Sequence, residues 1–466
     1  MGLGDSVSKS RKVSARRVEI VCAAVMSVAI SKQAIAQDQQ QKPLPPVTVE
    51  APTARPARAA TPASNFQRGK ARRARQAARE AAAANAAAAA AAAQQAAAAE
   101  AYRTREGSEA RGYKPDTVTN FGPFGRVPIL DVPYSVNVLS SAFLENRLAS
   151  TPEDAFKYSP VAQVTNPFGR GGASSVFLRG FSAGSSAIDG MRTGFNNNEL
   201  IALEDKERVE ILTGLTGFLY GGTDVGGMVN YVYKKPTPVP YYSLTVGDYG
   251  YLQGFTHLDV GGPIDKEGRF GYRINLVGQD GATPTTPQWE KRGLVTGAFS
   301  WNITPDTRLD FVGSHQALDL HGQTAAWIPG GGFDYTRVPD PHRLWDQPWT
   351  SIPNVEDRAE VTFSSRVNDI ITFRTAYSFD TTIQQAGNIG INFWDDNKGN
   401  YDQLSFFSLA ARDNTHSAYA FADVHFYTGP IEHKVTTGAY GNFQTFNVQA
   451  GGVKFTRASS SPRLAI

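Results

Sequence analysis

Cysteine is almost absent from this sequence: its 466 residues include a single one, Cys22. Cys22 falls inside an apparent leader segment, so the sequence excludes a disulfide-stabilised scaffold and a cysteine nucleophile in the exported chain. Long apolar runs are also missing, because after the leader no stretch reaches the ~18 residues of a transmembrane helix. The net charge is only +3, which gives no electrostatic case for binding nucleic acid.

Residue types that often carry catalysis or bind metals are present but scattered. His315 and His321 are near neighbours, yet no cysteine or close carboxylate pair completes a metal-ligand set. No Ser-His-Asp arrangement or pair of catalytic carboxylates stands out. The glycine-rich runs 169–172 and 221–224 are not followed by Gly-Lys-Ser/Thr, which favours turns over phosphate loops. We therefore predict neither an enzyme nor a resident metal or cofactor.

The first 36 residues carry the three features of a signal peptide in the right order. A positive region from Arg11 to Arg17 precedes an apolar run over 20–30, and Ala34-Ile35-Ala36 gives a small-x-small cleavage pattern. An amphipathic N-terminal helix is the alternative interpretation. An exported chain without a transmembrane helix is periplasmic, secreted or a membrane β-barrel.

Residues 37–120 are predicted to be a mostly disordered linker with one β-prone stretch near its start. Two prolines and three β-branched residues favour an extended conformation, which can add a strand to the sheet edge of a partner. The stretch consists of Leu44, Pro45, Pro46, Val47, Thr48 and Val49. Basic residues then concentrate between Arg55 and Arg79, and 81–99 is nearly all alanine, which favours a spacer that could be helical.

Two structured regions follow, and the predicted fold class is mainly β. Residues 121–237 combine short strands, glycine turns and a helix start at Thr151-Pro152, as in an α+β domain. In 238–466 about nine strand candidates alternate with short turns and long loops, which is typical of a transmembrane antiparallel β-barrel. A soluble β-sandwich is the competing interpretation. The last residues, 457–466, form a polar tail unlike a strand.

Several motifs of the middle region resemble the plug domain of TonB-dependent outer-membrane siderophore receptors. They occur in the family's order, at Asp131–Leu139, Val176–Phe181, Ile188–Arg192, Lys206–Gly214 and Gly226–Pro236. The stretch Leu44–Val49 resembles the TonB box of the same family. The sequence departs from the family pattern in lacking a proline after Gly214 and before Gly226-Gly227.

The resemblance implies an outer-membrane receptor of a Gram-negative bacterium that takes up ferric siderophores. Its partners would be a TonB-type periplasmic energy-coupling protein and the outer-membrane lipid, and iron would enter only as part of the ligand. The family barrel has 22 strands, so about nine strands lead us to expect an incomplete barrel and a truncated form of the receptor. The alternative is a periplasmic or surface ligand-binding module made of the plug-like domain alone.

Two groups of residues are predicted to form functional contacts. Buried guanidinium groups need carboxylate partners, and the resemblance implies plug–barrel contacts by Arg179, Arg208, Glu207 and Glu210. Aromatic side chains suit a bulky organic chelate, although some could instead belong to the aromatic girdle at the membrane interface. The ligand-binding candidates are Phe168, Arg170, Phe195 and Asn196 in the middle region, and Trp289, Trp327, Tyr335 and Trp345 in the long loops.

Overall fold

The computed structural model describes residues 65–119, 121–166, 175–183, 186–193, 200–220, 225–328, 339–394, 401–448 and 455–458. The predicted signal peptide and the stretch Leu44–Val49 lie outside the described residues. The chain divides into two units, residues 1–77 and 78–466.

A long helix, α1, runs over Asn65–Arg103. It forms because alanine, its main residue, has the highest helix propensity. At 1.5 Å per residue it is about 58 Å long. From Gly69 onward nearly all its residues are exposed, since an alanine-rich helix has no broad apolar face to bury. No helix among the described residues is both long and apolar enough to span a membrane.

Ten short strands and three short helices then make up an α+β domain. The strands are β1 (Thr117–Val118), β2 (Val127–Pro128), β3 (Ser135–Ser140), β4 (Ala162–Asn166), β5 (Ser175–Leu178), β6 (Phe181–Ser182), β7 (Ser186–Ile188), β8 (Met191–Arg192), β9 (Lys206–Thr213) and β10 (Gly227–Tyr233). The helices are α2 (Ser141–Asn146), α3 (Pro152–Phe156) and α4 (Gly217–Tyr220). The predicted start of α3 at Thr151 is present, where the Asp154 carboxylate accepts a hydrogen bond from the Thr151 N–H at 3.1 Å.

The core of this domain is a five-stranded sheet in the order β3-β9-β10-β7-β8. Every residue of β10 is buried, because both faces of the sheet are covered. Alternate residues of β9 belong to two clusters: Val209 and Ile211 pack on one face, and Leu212 packs with Phe121 on the other. Smaller sheets pair β1 with β2 and order β4-β5-β6.

The second region forms a nine-stranded antiparallel meander, which we call the wall sheet. In spatial order its strands are β11 (Tyr241–Asp248), β12 (Gly254–Pro263), β13 (Phe270–Ala282), β14 (Trp289–Thr304), β15 (Thr307–His321), β17 (Asn354–Arg366), β18 (Ile371–Gln384), β21 (Ala411–Thr428) and β22 (Ile431–Val448). Among the described residues β11 pairs only with β12, and β22 pairs only with β21, so the sheet is not closed. The predicted mainly β class and incomplete antiparallel barrel of about nine strands are confirmed.

The wall sheet has polar residues on its inner face and apolar residues on its outer face. On β14, Arg292 and Thr296 are buried, whereas Val295, Phe299 and Trp301 are between 36% and 47% exposed. A soluble sandwich has the opposite arrangement, because it buries its apolar side chains between two sheets. An apolar outer face around a polar interior is the arrangement of a sheet that meets lipid on one side.

Segments outside the nine wall strands form a further sheet, which the sequence did not predict. One of its strands includes Arg457 and Ala458, so the expectation of a tail unlike a strand from 457 onward is wrong for these two residues. Its strands lie in the order β16 (Ala326–Ile328), β19 (Gly387–Trp394), β20 (Tyr401–Ser408) and β23 (Phe455–Ala458). Asp346 fixes the approach of two loops, since its Oδ2 accepts a hydrogen bond from the Gly390 N–H at 2.5 Å. A Cβ on Gly390 would clash with the Asp346 carboxylate, so a larger residue there would displace this side chain.

Candidate functional site: the interface between the α+β domain and the wall sheet

Lys234 follows strand β10 directly and connects the α+β domain to two wall strands. Its Nζ lies 2.9 Å from Asp259 Oδ2 on β12 and 2.6 Å from Glu145 Oε1 on α2. Arg273 on β13 binds the same Asp259 carboxylate, with Nε 2.9 Å from Oδ1 and Nη2 2.8 Å from Oδ2. The side chains of Lys234, Asp259 and Arg273 are at most 3% exposed. We call these four residues the Lys234 cluster.

A second contact involves the two acidic residues that precede β9. Arg292 on β14 donates to both carboxylate oxygens of Glu204, with Nη1 3.1 Å from Oε2. The Nε of Arg292 donates to Gln279 Oε1 at 3.0 Å, which fixes the guanidinium plane. Thr296 on β14 donates its hydroxyl to Asp205 Oδ2 at 2.6 Å. A buried carboxylate with two parallel donors is held in place as well as neutralised.

A third contact is centred on the turn of the β7–β8 hairpin. Asp189 occupies the turn with φ 47°, and Gly190 follows with φ 78°. The Asp189 carboxylate accepts hydrogen bonds from the Tyr233 N–H at 3.0 Å and from Lys235 Nζ at 2.6 Å. Burial opposes ionisation of Asp189, but the nearby Lys235 outweighs burial and lowers the pKa of this carboxyl group.

Wall residues of β17 complete this contact, which we call the hairpin cluster. Glu360 Oε1 lies 3.9 Å from Lys235 Nζ, and Arg358 Nη2 lies 3.4 Å from Glu360 Oε2. Arg358 Nη2 also donates to the Ile188 carbonyl at 3.4 Å. Asp380 Oδ2 lies 3.8 Å from Arg358 Nη1 and contacts Glu356, so the cluster consists of Asp189, Lys235, Glu356, Arg358, Glu360 and Asp380.

The backbone of the same hairpin is held by the last two wall strands. The Arg192 N–H donates to the Tyr440 hydroxyl at 2.7 Å, and its carbonyl accepts from Ser417 Oγ at 2.5 Å and Asn442 Nδ2 at 3.2 Å. Met191 packs against Tyr419 and its neighbours on the wall. The hairpin is therefore fixed by ionic contacts on one side and by neutral hydrogen bonds and packing on the other.

The four residues predicted for plug–barrel contacts occupy different environments. Glu207 bridges Arg105 Nε at 3.7 Å and the wall residue Arg273 Nη1 at 3.9 Å. Arg208 instead pairs within the α+β domain, with Nη2 3.1 Å from Glu106 Oε1. Arg179 lies exposed in the turn between β5 and β6, with φ 52°.

Glu210, the fourth of these residues, is fully buried inside the α+β domain. It accepts hydrogen bonds from the Thr119 N–H at 2.7 Å and from Asn230 Nδ2 at 2.9 Å. Burial raises the pKa of the Glu210 carboxyl to about 7, and these donors offset part of that rise. Glu210 therefore stabilises the interior of the α+β domain, where it connects Thr119, just after β1, to Asn230 on β10.

Two of the predicted ligand-binding aromatics lie together in the loops. The rings of Trp327 and Trp345 are 5.7 Å apart, and both contact Tyr401, at 5.0 and 6.2 Å. Arg343 lies over the Trp345 ring, 4.2 Å from its centroid. Trp345 is only 8% exposed, so this aromatic cluster both stabilises the loops and offers the rim of Trp327 for contact.

Trp289 is placed on the outer face of the wall sheet. It is 47% exposed, and its Nε1 donates to Asp280 Oδ1 at 2.7 Å. This position matches the alternative interpretation, an aromatic residue at the membrane interface. The other ligand candidates, Phe168, Arg170, Phe195, Asn196 and Tyr335, lie outside the described residues.

Sequence reasoning did not identify most of the interface. Lys234, Lys235 and Asp189 lie inside motifs that resemble the plug domain, but no local pattern indicates their partners. The sequence does contain a pattern that could have identified the wall residues. On β17, the polar residues Glu356, Arg358 and Glu360 alternate with the apolar residues Val355, Ala359 and Val361. In a strand with an apolar outer face, such polar alternate positions point to the interior. No group of three or more potential metal ligands occurs among the described residues.

An α+β domain packed against the polar face of a sheet whose other face is apolar is the arrangement of a β-barrel with a plug in its interior. Residues 128–228 match the family model of the TonB-dependent Receptor Plug Domain. The ferrichrome receptor FcuA of Yersinia enterocolitica is 28% identical over 70% of this chain and 43% of its own length. The ferrichrome outer membrane transporter/phage receptor of Escherichia coli is 27% identical over 44% of this chain and 28% of its own length.

Solved structures share the fold. BauA, the ferric preacinetobactin receptor of Acinetobacter baumannii, has a TM-score of 0.65 at 20% identity, covering 75% of this chain and 54% of that one. FpvA of Pseudomonas aeruginosa bound to a pyoverdine–iron complex has a TM-score of 0.63 at 20% identity, covering 72% and 45%. The chain is therefore similar to TonB-dependent receptors in its plug region and in its fold. It spans about half or less of the length of the relatives it matches.

Proposed function

We propose that this chain acts in an outer-membrane receptor that takes up ferric siderophores, driven by a TonB-type periplasmic energy-coupling protein. The observation that supports it best is the interface just described, in which a plug is held in a lipid-facing sheet by buried ion pairs. Relatives named for ferrichrome and ferric preacinetobactin support the siderophore as cargo. Iron is the cargo in this proposal, and no resident cofactor takes part.

The chain would divide this function among its segments. A signal peptide over 1–36 exports it, and Leu44–Val49 adds a strand to the coupling protein from the linker 37–120. The plug over 121–237 blocks the interior of the sheet formed by 238–466. The ferric siderophore meets the loop side, where the rim of Trp327 and the predicted loop residues offer aromatic contact.

The nature of the interface supports movement of the plug. Ion pairs and hydrogen bonds can be replaced by bonds to water at little net cost once water enters, because the desolvation penalty is recovered. An apolar interface of the same area would lose its full hydrophobic stabilisation on separation. A plug held mainly by polar contacts is therefore suited to repeated displacement.

The test is an uptake assay in a Gram-negative host that lacks its own siderophore receptors. Radiolabelled iron is supplied as hydroxamate, catecholate and pyoverdine-type chelates, with and without the host's energy-coupling protein. We expect uptake of one chelate class that requires the coupling protein. Val47→Pro should abolish uptake and leave chelate binding intact, since proline removes the N–H that strand pairing needs, whereas Ala59→Pro in the same linker should have no effect.

Two results would contradict the proposal. One is uptake that persists without the coupling protein or with Val47→Pro. The other is recovery of the protein as a soluble periplasmic species that binds a chelate without transporting it, which favours the ligand-binding module instead.

A further inference from the structure

The first turns of helix α1 form a dense basic segment that the proposed function does not use. Lys70, Arg72, Arg73 and Arg75 lie within six residues, and the described part of unit 1–77 has no acidic residue. All four are exposed. Their side chains make no hydrogen bond or ion pair within the described part of the chain. Exposed cations this close together create a local positive potential that attracts anions.

The helical geometry distributes these cations around the axis. At about 100° per residue, Arg75, Arg72 and Arg73 lie about 140°, 200° and 300° from Lys70. No half of the helix surface is therefore free of a cation. The residues between and beside them, Gly69, Ala71 and Ala74, are small and offer neither an apolar stripe nor an anchor.

This geometry discriminates between kinds of anionic partner. A membrane-surface helix needs an apolar face to insert and cations on the opposite face, and this segment has neither arrangement. A folded acidic protein would need a buried aromatic or aliphatic anchor at the centre of the interface, which Gly and Ala do not supply. A flexible polymer can follow cations around a helix, and its binding needs no apolar contact.

We infer that the basic segment Lys70–Arg75 binds the carboxylate-bearing peptidoglycan of the cell wall. The inference goes beyond receptor function but rests on the proposed export of the chain to the periplasmic side. Three of the four cations are arginines, whose planar donors match carboxylates in pairs. The contact would hold the start of the linker at the wall, between the strand-forming stretch and the plug.

The experiment is co-sedimentation of the full-length detergent-solubilised protein with purified peptidoglycan sacculi over a range of salt concentrations. Exposed ion pairs each contribute roughly 1.4-fold to fivefold in affinity, so changing Lys70, Arg72, Arg73 and Arg75 together to Gln should weaken binding at least about fourfold. Glutamine keeps the helix propensity high. Binding of the unaltered protein should also fall steeply as salt screens the charges.

A matched control removes the same charge from other exposed positions, with Lys114, Lys157, Lys266 and Lys434 changed to Gln. It should bind sacculi as the unaltered protein does. Equal loss in both variants would overturn the inference, because only net charge would then matter. Preferential binding to vesicles of anionic phospholipid over sacculi would also overturn it and assign the segment to a lipid surface. Radiolabelled-iron uptake is measured for the same variants. Loss of sacculus binding with unchanged iron uptake separates the role of the basic segment from a failure of receptor function.

Discussion

The Lys234 cluster gives the sharpest test of how the plug is held, because one carboxylate serves two cations. Asp259 accepts three charge-assisted hydrogen bonds, from Lys234 at 2.9 Å and from Arg273 at 2.9 and 2.8 Å. Asp259→Asn would remove the carboxylate that the two buried cations share, leaving Lys234 with Glu145 at 2.6 Å and Arg273 with only Glu207 at 3.9 Å. Removing one partner of a buried ion pair costs about 3–5 kcal/mol. Lys234→Met should cost less, since Asp259 keeps both bonds from Arg273.

Asp265→Asn is the matched control, because Asp265 also pairs with an arginine, Arg269, in the turn between β12 and β13. Arg269 is 61% exposed in that pair, so the loss should stay below about 1 kcal/mol. Urea unfolding in detergent micelles measures the free energy of unfolding of each variant. Thiol labelling of a single cysteine placed in the plug, in a Cys22→Ser background, reports separation of plug from sheet. Equal losses for Asp259→Asn and Asp265→Asn would refute the reasoning.

Three further predictions concern other parts of the structure. Burial of Glu106 is outweighed by hydrogen bonds from Thr117 and its neighbours, which lower the pKa to about 2. Glu106 thus contributes stability above pH 4.5 that is lost as the pH falls through 2, and Glu106→Gln should lower the melting temperature at pH 6 but not near pH 2. Trp345→Ala should destabilise the loop sheet by about 3–5 kcal/mol, seen as faster loop proteolysis, whereas exposed Trp349→Ala should change it little. Glu360→Gln should speed thiol labelling of the plug cysteine less than Asp259→Asn does, because Glu360 lies 3.9 Å from Lys235 Nζ, and equal acceleration by the two variants would contradict this expectation.

The sequence predicted those elements whose signal is local. Alternation along each segment predicted the wall strands, because side chains of a strand alternate between its two faces. The nine-stranded meander forms because each wall strand pairs with the next wall strand along the chain, through a short turn or one of two long loops. The loop sheet was missed because its strands pair across distant segments: β16 pairs with β19, and β20 with β23. Nothing near Ala326 in the sequence indicates a partner at Ile391.

The ionic partners were missed for the same reason. Arg208 was expected to need a carboxylate, and the structure supplies Glu106, about a hundred residues earlier in the chain. Asp189 and Glu360 come together only when the β7–β8 hairpin packs against the inner face of the wall sheet. The position of Arg179, exposed in a left-handed turn, shows that an arginine beside apolar strand residues can end a strand instead of entering the core. A buried charged residue indicates that a partner of opposite charge is needed. Which residue becomes that partner depends on the strand register in two separate sheets.

The two clusters differ in how closely their plug cations approach the wall sheet. In the Lys234 cluster, Lys234 Nζ lies 2.9 Å from the wall carboxylate of Asp259. In the hairpin cluster, Lys235 Nζ lies 2.6 Å from Asp189 of the plug itself but 3.9 Å from the wall residue Glu360. Because Coulomb attraction weakens with distance, Glu360 contributes less to plug retention than Asp259 does. Glu360→Gln should therefore speed separation of the plug less than Asp259→Asn.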